Sequence, residues 1–255
     1  MDNDKGNGTF ICGQCGAGDG IEFLKRLNDW DFHTAASEVD KIVGGVRMEP
    51  QPAQLDPQQA KDRMRDMWRK SVPIVEGSLA WKYLRGRNVL PGRIPESLRF
   101  MENCPAPGGQ RLPAMLALIE GPDGIAQSIH RTFLGPDGKA NMTTPRALMP
   151  GKLCDGASVR LYPHKERLGI AEGIETAIAA AKRFQMPVWA AINANMLARW
   201  VPPAGVSEVV VFGDCDQKFG GQAAAYALAH RLAVKGVEVT VSIPEVVGMD
   251  WADVA

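Results

Sequence analysis

The chain has 255 residues, 45% of them hydrophobic and 23% charged, an ordinary globular composition that excludes disordered and collagenous classes. No apolar run approaches the ~18 residues of a membrane helix, and the first residues lack the apolar core of a secretory signal, so a soluble cytoplasmic protein without a membrane partner is expected. Five cysteines, an odd and small number, do not make a disulfide scaffold.

The formal net charge is zero but unevenly spread: residues 1–60 hold 5 basic and 10 acidic side chains, residues 61–111 hold 11 and 5, and residues 168–255 hold 6 and 9. A basic middle between acidic flanks suits a protein that grips phosphate with one part and cations with another; a solvated helix face would carry the same excess.

In chain order, residues 1–47 open with Gly-rich sequence around Cys12 and Cys15, then show apolar residues at threes and fours from Ile21 to Val43, a knuckle followed by short helices. The proline-rich, aperiodic stretch 48–58 reads as a linker. Residues 59–165 read as a smaller, basic α+β module: an Arg-rich helical segment from Gln59 to about Arg87 interrupted near Pro73, then strands Leu112–Glu120 and Ile125–Leu134 followed by Gly-Pro-Asp-Gly turns. Residues 166–255 alternate apolar strands with helices: Leu168–Ala171, a helix Gly173–Phe184, Val188–Ile192, Glu208–Phe212, a helix Gly221–Lys235 and Val237–Ile243. That order predicts βαβ units and a mostly parallel, doubly wound α/β sheet with helices on both faces.

Open parallel sheets bind ligands beyond the carboxyl ends of their strands, and the residues expected there are acidic: Glu172 with Glu175 after the first strand, Asp214 and Asp216 after the third, Asp250 and Asp253 after the last. An extended segment would point Asp214 and Asp216 the same way, with Cys215 turned back. Carboxylates converging on one edge repel one another unless a cation lies between them, and oxygen ligands without His or Cys select Mg²⁺ or Mn²⁺. Taken singly, Glu172 could be a helix N-terminal carboxylate, Asp214 a cap for the helix beginning near Gly220, and Glu175 a supporting residue or a plain surface charge.

This combination resembles the Toprim domain of bacterial-type primases, topoisomerases and some nucleases, and EGIETA, GDCDQKFGGQAAA and GMDWADV are most similar to phage and plasmid primases of the satellite-phage alpha type. The segments AWKYLRGR at 80–87 and IHRTFL at 129–134 with Gly138-Lys139-Ala140 resemble parts of the same primases, and residues 8–20 look like the second half of their zinc ribbon. A structural zinc needs four ligands, and here only Cys12 and Cys15 answer the motif; either the chain is a truncated version or the half-ribbon is vestigial.

The resemblance implies a DNA primase that makes short RNA from nucleoside triphosphates on single-stranded DNA. Asp214 and Asp216 would hold Mg²⁺ or Mn²⁺, Glu172 would be a metal ligand or general base, and Asp250 would serve a further metal with Asp253 beside it. Arg131, Arg146 and Lys152 are expected on loops facing the Toprim half, binding nucleotide phosphates. Arg63, Arg69, Arg85, Arg87 and Arg93 are candidates for a template track, with Trp68 and Trp81 near enough to stack bases, although tryptophans at helical spacing are more often core. His130 reads as a core or capping histidine. No nucleotide-binding G-x-x-x-x-G-K-[ST] loop occurs, so a replicative helicase would be a separate partner. Two alternatives remain: a Toprim nuclease using the same carboxylates, and a non-catalytic single-strand-binding accessory module.

Overall fold

The computed structural model describes residues 9–12, 16–43 and 56–254, and the chain divides into two compact units, Met1–Gln54 and Leu55–Ala255. In the first unit β1 (Phe10–Cys12) pairs antiparallel with β2 (Gly16–Gly18), followed by α1 (Gly20–Asn28) and α2 (Phe32–Val43). Asp19 starts α1 by accepting a hydrogen bond from the Glu22 amide at 2.9 Å. Cys12 lies in β1, whereas Cys15 and most of the expected linker fall outside the described residues. Among the described residues no three His, Cys, Asp or Glu side chains are grouped so as to hold a metal, and no helix is long and apolar enough to cross a membrane.

The second unit begins with α3 (Pro57–Lys70), β3 (Val72–Pro73) and α4 (Leu79–Gly86). Pro57 occupies the first turn of α3, where its missing N–H is not needed, and Ser78 caps α4 through the Trp81 amide. An antiparallel sheet follows: β4 (Leu98–Pro105), β5 (Arg111–Glu120), β6 (Ala126–Gly135), β7 (Gly138–Lys139) and β8 (Arg146–Leu148), in the order β3-β4-β5-β6-β7 with β8 also on β6. The first Gly-Pro-Asp-Gly turn closes β5 onto β6, with Gly124 at φ +78° and the Asp123 carboxylate accepting from the Ile125 amide at 2.9 Å.

Both faces of this sheet are apolar, so both must be covered. Ala114, Leu116, Ile129 and Phe133 pack under Met64 and Met67 of α3. On the opposite face Met115, Ala117, Ile119 and Leu134 join Ala80, Tyr83 and Leu84 of α4 in a core continuous with the rest of the chain. Alternation along β5 and β6 therefore places α3 on one side of the sheet, and α4 with residues 166–254 on the other.

That second half is a four-stranded parallel sheet in the order β10-β9-β11-β12, built from β9 (Arg167–Ala171), β10 (Val188–Ala190), β11 (Glu208–Phe212) and β12 (Glu238–Ser242). Helices α5 (Ile174–Phe184), α6 (Ala194–Ala198) and α7 (Gly220–Val234) connect them. Fully buried Trp200, Phe212 and Ile170 each contribute about 1.5–3 kcal/mol by leaving water. Gly169 lets β9 sit at the centre, since a Cβ there would come within 2.7 Å of Val188 Cγ2 and 2.8 Å of Phe212 Cε2. The chain steps from β9 to β10 on one side and then crosses to β11 on the other, which makes the carboxyl ends of β9 and β11 the topological switch point.

Candidate active site

Ala171 and Phe212 are register partners, so Glu172 and the Gly213-Asp214 pair leave the sheet side by side. The Glu172 carbonyl accepts from the Ile192 amide at 2.7 Å, Gly213 donates to the Ser242 carbonyl at 3.0 Å, and Cys215 donates to the Met249 carbonyl at 3.0 Å. These bonds bring the turn carrying Asp250 against the one carrying Asp214. Gly221 permits the approach of α7, because a Cβ there would lie 2.8 Å from the Asp214 carbonyl oxygen and 3.0 Å from its Cβ.

Asp214 and Asp216 do not act alike, contrary to the expectation from an extended segment, because the chain leaves the strand at Phe212. Asp216 Oδ2 accepts from the Gly221 amide at 2.7 Å. Asp216, and not Asp214, thus supplies the carboxylate at the N-terminus of α7, where unpaired amides favour an anion. Asp214 has a buried Oδ1 without a partner. Burial first, then repulsion from Glu172, Asp250, Asp216 and Asp253, pushes its carboxyl up to about 7. Glu172 is also raised, by burial and by Asp216. The donor set is all oxygen, and an orphaned buried carboxylate oxygen among like charges fits a hard divalent cation. As they stand the side chains share a field without closing on one point, since no group of three meets the spacing of a bound ion among the described residues.

Facing these acids are cations from the antiparallel sheet and α4. Arg146 on β8 donates to Glu175 Oε1 at 3.1 Å, Lys139 on β7 lies 4.0 Å from the same oxygen, and Arg87 lies 3.6 Å from Asp253 Oδ1. The positive charge of Arg146 reaches Glu172, and Lys139 feels Asp250. Glu175 is 5% exposed and also accepts from the Tyr83 hydroxyl. Burial works to raise its carboxyl, but Arg146, Tyr83 and Lys139 outweigh it and hold it down at about 2. Burial and the Glu175 charge in turn raise the Tyr83 phenol. His130, 7% exposed, is lowered to about 4 chiefly by burial; it is a neutral core histidine near neutral pH.

Several expected residues lie elsewhere. Arg131 is on strand β6, not a loop, and strand alternation turns it to the α3 face, where it donates to the Pro105 carbonyl at 2.7 Å and the Leu148 carbonyl at 3.0 Å. Lys152 is exposed in the loop after β8. Arg63 and Arg69 lie on α3, Arg85 and Arg87 at the end of α4, and Arg93 in the following loop. Because α3 and α4 cover opposite faces, these five do not form one track. Arg69 pairs with Asp66 at 2.7 Å and Arg93 with Glu96 at 3.0 Å. Trp68 and Trp81 are partly buried core residues, each under a guanidinium, Arg99 at 5.2 Å and Arg85 at 5.1 Å.

The residues under-read in the sequence are Glu175, Lys139 and Tyr83. A signal existed for Glu175: every residue from Ile174 to Ala180 is buried, and a carboxylate inside so apolar a run requires cations. Nothing local assigned its partners to β7, β8 and α4.

Comparison with known proteins agrees with this geometry. Residues 167–255 match the Toprim domain family, and residues 58–161 match a domain of unknown function (DUF7146). A DnaG catalytic core, at 16% identity, superposes with a TM-score of 0.52 over 78% of this chain and 75% of that one. The DnaG primase catalytic domain bound to ssDNA, at 15% identity, gives 0.50 over 77% and 74%. The zinc-binding and RNA polymerase domains of the Aquifex aeolicus primase are also similar, at 18% identity over 96% of this chain and 69% of that one, with a TM-score of 0.47. The chain carries a Toprim domain. Together with the antiparallel module before it, that domain has the fold of a DnaG-type primase catalytic core.

Proposed function

We propose that the chain is a primase-type nucleotidyltransferase that joins ribonucleotides on single-stranded DNA. The observation that supports this most is the uncompensated carboxylate edge at the switch point, with Asp214 held toward its neutral form, opposite cations delivered by the antiparallel sheet and α4. A strand-cutting enzyme needs a metal edge and one strand; a row of cations on a second module matches the additional phosphates of a triphosphate.

Glu172, Asp214 and Asp250, with Asp216 at the rim, are the residues that would hold Mg²⁺ or Mn²⁺, whose chemistry is to offset the charge that develops on phosphate oxygens during transfer. Arg146 and Lys139 bind the triphosphate and orient its α-phosphate along the edge. Glu172, raised by burial and by Asp216, takes the proton of the attacking hydroxyl where it does not ligate the metal. Arg85 and Arg87, at the end of α4 with Arg87 3.6 Å from Asp253 Oδ1, guide the template. Single-stranded DNA, nucleoside triphosphates and a separate helicase are the partners this reading implies.

The test is synthesis of short RNA from ribonucleotides on single-stranded DNA with Mg²⁺ or Mn²⁺. Degradation of the strand with no product from added ribonucleotides would replace this reading with a Toprim nuclease.

A further inference from the structure

Glu175 sits three residues beyond Glu172 yet takes no part in the carboxylate edge. Its Oε1 accepts from the Tyr83 hydroxyl and from Arg146 Nη2 at 3.1 Å, and faces Lys139 Nζ at 4.0 Å. These two donors and one ion-pair partner come from α4, β8 and β7, so one oxygen on the first turn of a Toprim helix gathers three elements of the antiparallel half. The pair is not closed on itself. The Glu175 side chain is 7% exposed, but that of Arg146 is 47% exposed, and Arg146 Nη2 is the nitrogen engaged by Glu175.

The cations also oppose one another. Burial first, then Arg146 and Arg87, act to strip the proton from Lys139, and Glu175 and Asp250 act to retain it. Without an anion behind them, like charges this close would spread apart before any phosphate arrived. Stability alone gives a weak reason for such an arrangement, since an apolar cluster in place of a buried ion pair stabilises as well or better.

We infer that Glu175 is a positioning residue: with the Tyr83 hydroxyl it fixes Arg146 and Lys139 from behind, leaving their remaining donors toward the carboxylate edge to receive the phosphates of a nucleoside triphosphate. The role rests on the function proposed above and names the part that preorganises its nucleotide site.

The experiment is titration of the full chain with Mg²⁺-ATP in the absence of template. Glu175→Gln weakens binding about tenfold, in line with loss of a charge-assisted hydrogen bond, while single-strand binding is unchanged. Because Glu175 acts through Arg146 and Lys139, Glu175→Gln costs less in the Arg146→Gln background than in the wild type, the rest of the loss coming through Lys139. Binding by Glu175→Gln that equals or exceeds the wild type overturns the inference, as do losses that multiply in the double variant. Should Glu175→Gln not fold, Tyr83→Phe with and without Arg146→Gln carries the same test, with a loss of about threefold expected and additivity overturning it. A wild-type chain that binds no triphosphate sinks the proposed function itself, whereas a binding wild type with an equally binding Glu175→Gln sinks only the positioning role.

Discussion

Two carboxylate regions lie one helical turn apart and could hardly differ more. At the strand ends, Glu172, Asp214 and Asp250 repel one another, and a buried Asp214 oxygen has no partner. In the first turn of α5, Glu175 is still more buried yet surrounded by donors, and its carboxyl is held at about 2. Burial has the same sign at both; what differs is the company. The satisfied carboxylate is architecture, and the unsatisfied one marks where a ligand of opposite charge belongs.

The largest expected effect follows from that contrast. On the proposed function, Glu172→Gln or Asp214→Asn lowers kcat for primer synthesis by about a thousandfold or more, since the lost charge acts where phosphate charge would develop. Mg²⁺-ATP binding without template changes far less for Glu172→Gln. A drop confined to KM would show that the strand-end acids hold substrate and do no chemistry.

Next in size is stability at Glu175. A carboxyl depressed from 4.5 to about 2 contributes stability that is complete above pH 4.5 and lost as pH falls toward 2, on the order of 3 kcal/mol. Glu175→Ala, which leaves Arg146 without its buried partner, costs a similar amount, read as a fall in denaturation midpoint at pH 7. His130 adds a separate window: a base depressed from 6.5 to about 4 remains neutral in the fold while the unfolded chain takes up a proton, so its own contribution declines as pH falls from 6.5 to 4, against the rise that Asp214 supplies over the same range. A His130 ring that takes up its proton near pH 6.5 in the folded chain, read by NMR, would refute its burial.

Asp214 works in the opposite direction. An acid raised from 3.8 to about 7 destabilises the metal-free fold progressively as pH rises between those values. Asp214→Asn therefore raises the melting temperature of metal-free protein at pH 8 but not at pH 4. Mg²⁺ stabilises the wild type at pH 8, and the variant loses most of that response. A metal response unchanged in Asp214→Asn would place the cation elsewhere.

The same contrast explains what the sequence disclosed. The strand-end acids were legible because a parallel sheet places its ligand edge by topology, and EVVVF running into Gly213-Asp214 announces both strand and edge. Of the two readings open for Asp214, edge acid or cap of the helix near Gly220, the carboxylate contact at the start of α7 falls to Asp216, which meets the Gly221 amide, because strand alternation does not extend past Phe212. Glu175 was undervalued and Arg131 misassigned for one reason: each depends on which face of an antiparallel sheet turns toward the Toprim half, and that is fixed only when α3 and α4 cover opposite sides. The helices, the parallel strands and the β5–β6 hairpin needed only local period; the cation set needed tertiary packing.

The smallest expected effect is the one that locates the template. Arg85 and Arg87 end the helix that packs on the Toprim side of the antiparallel sheet, whereas Arg63 and Arg69 lie on α3 across it. On the proposed function, a strand that reaches the carboxylate edge passes the first pair. Each phosphate contact with a single strand contributes about 0.7 to the slope of log affinity against log salt, so neutralising Arg85 and Arg87 flattens that slope by about 1.4. Neutralising Arg63 and Arg69 leaves it unchanged. Stability does not confound the first pair, because Arg87 and Asp253 are each 40% exposed at 3.6 Å, and an ion pair of that kind contributes below about 1 kcal/mol. The reverse outcome would carry the template along the α3 face, past the cavity of about 350 Å³ where Arg63, Lys70, Arg111 and Arg131 meet. The Arg131 guanidinium would then be a template contact, with Arg146 and Lys139 left as the cations that face the edge.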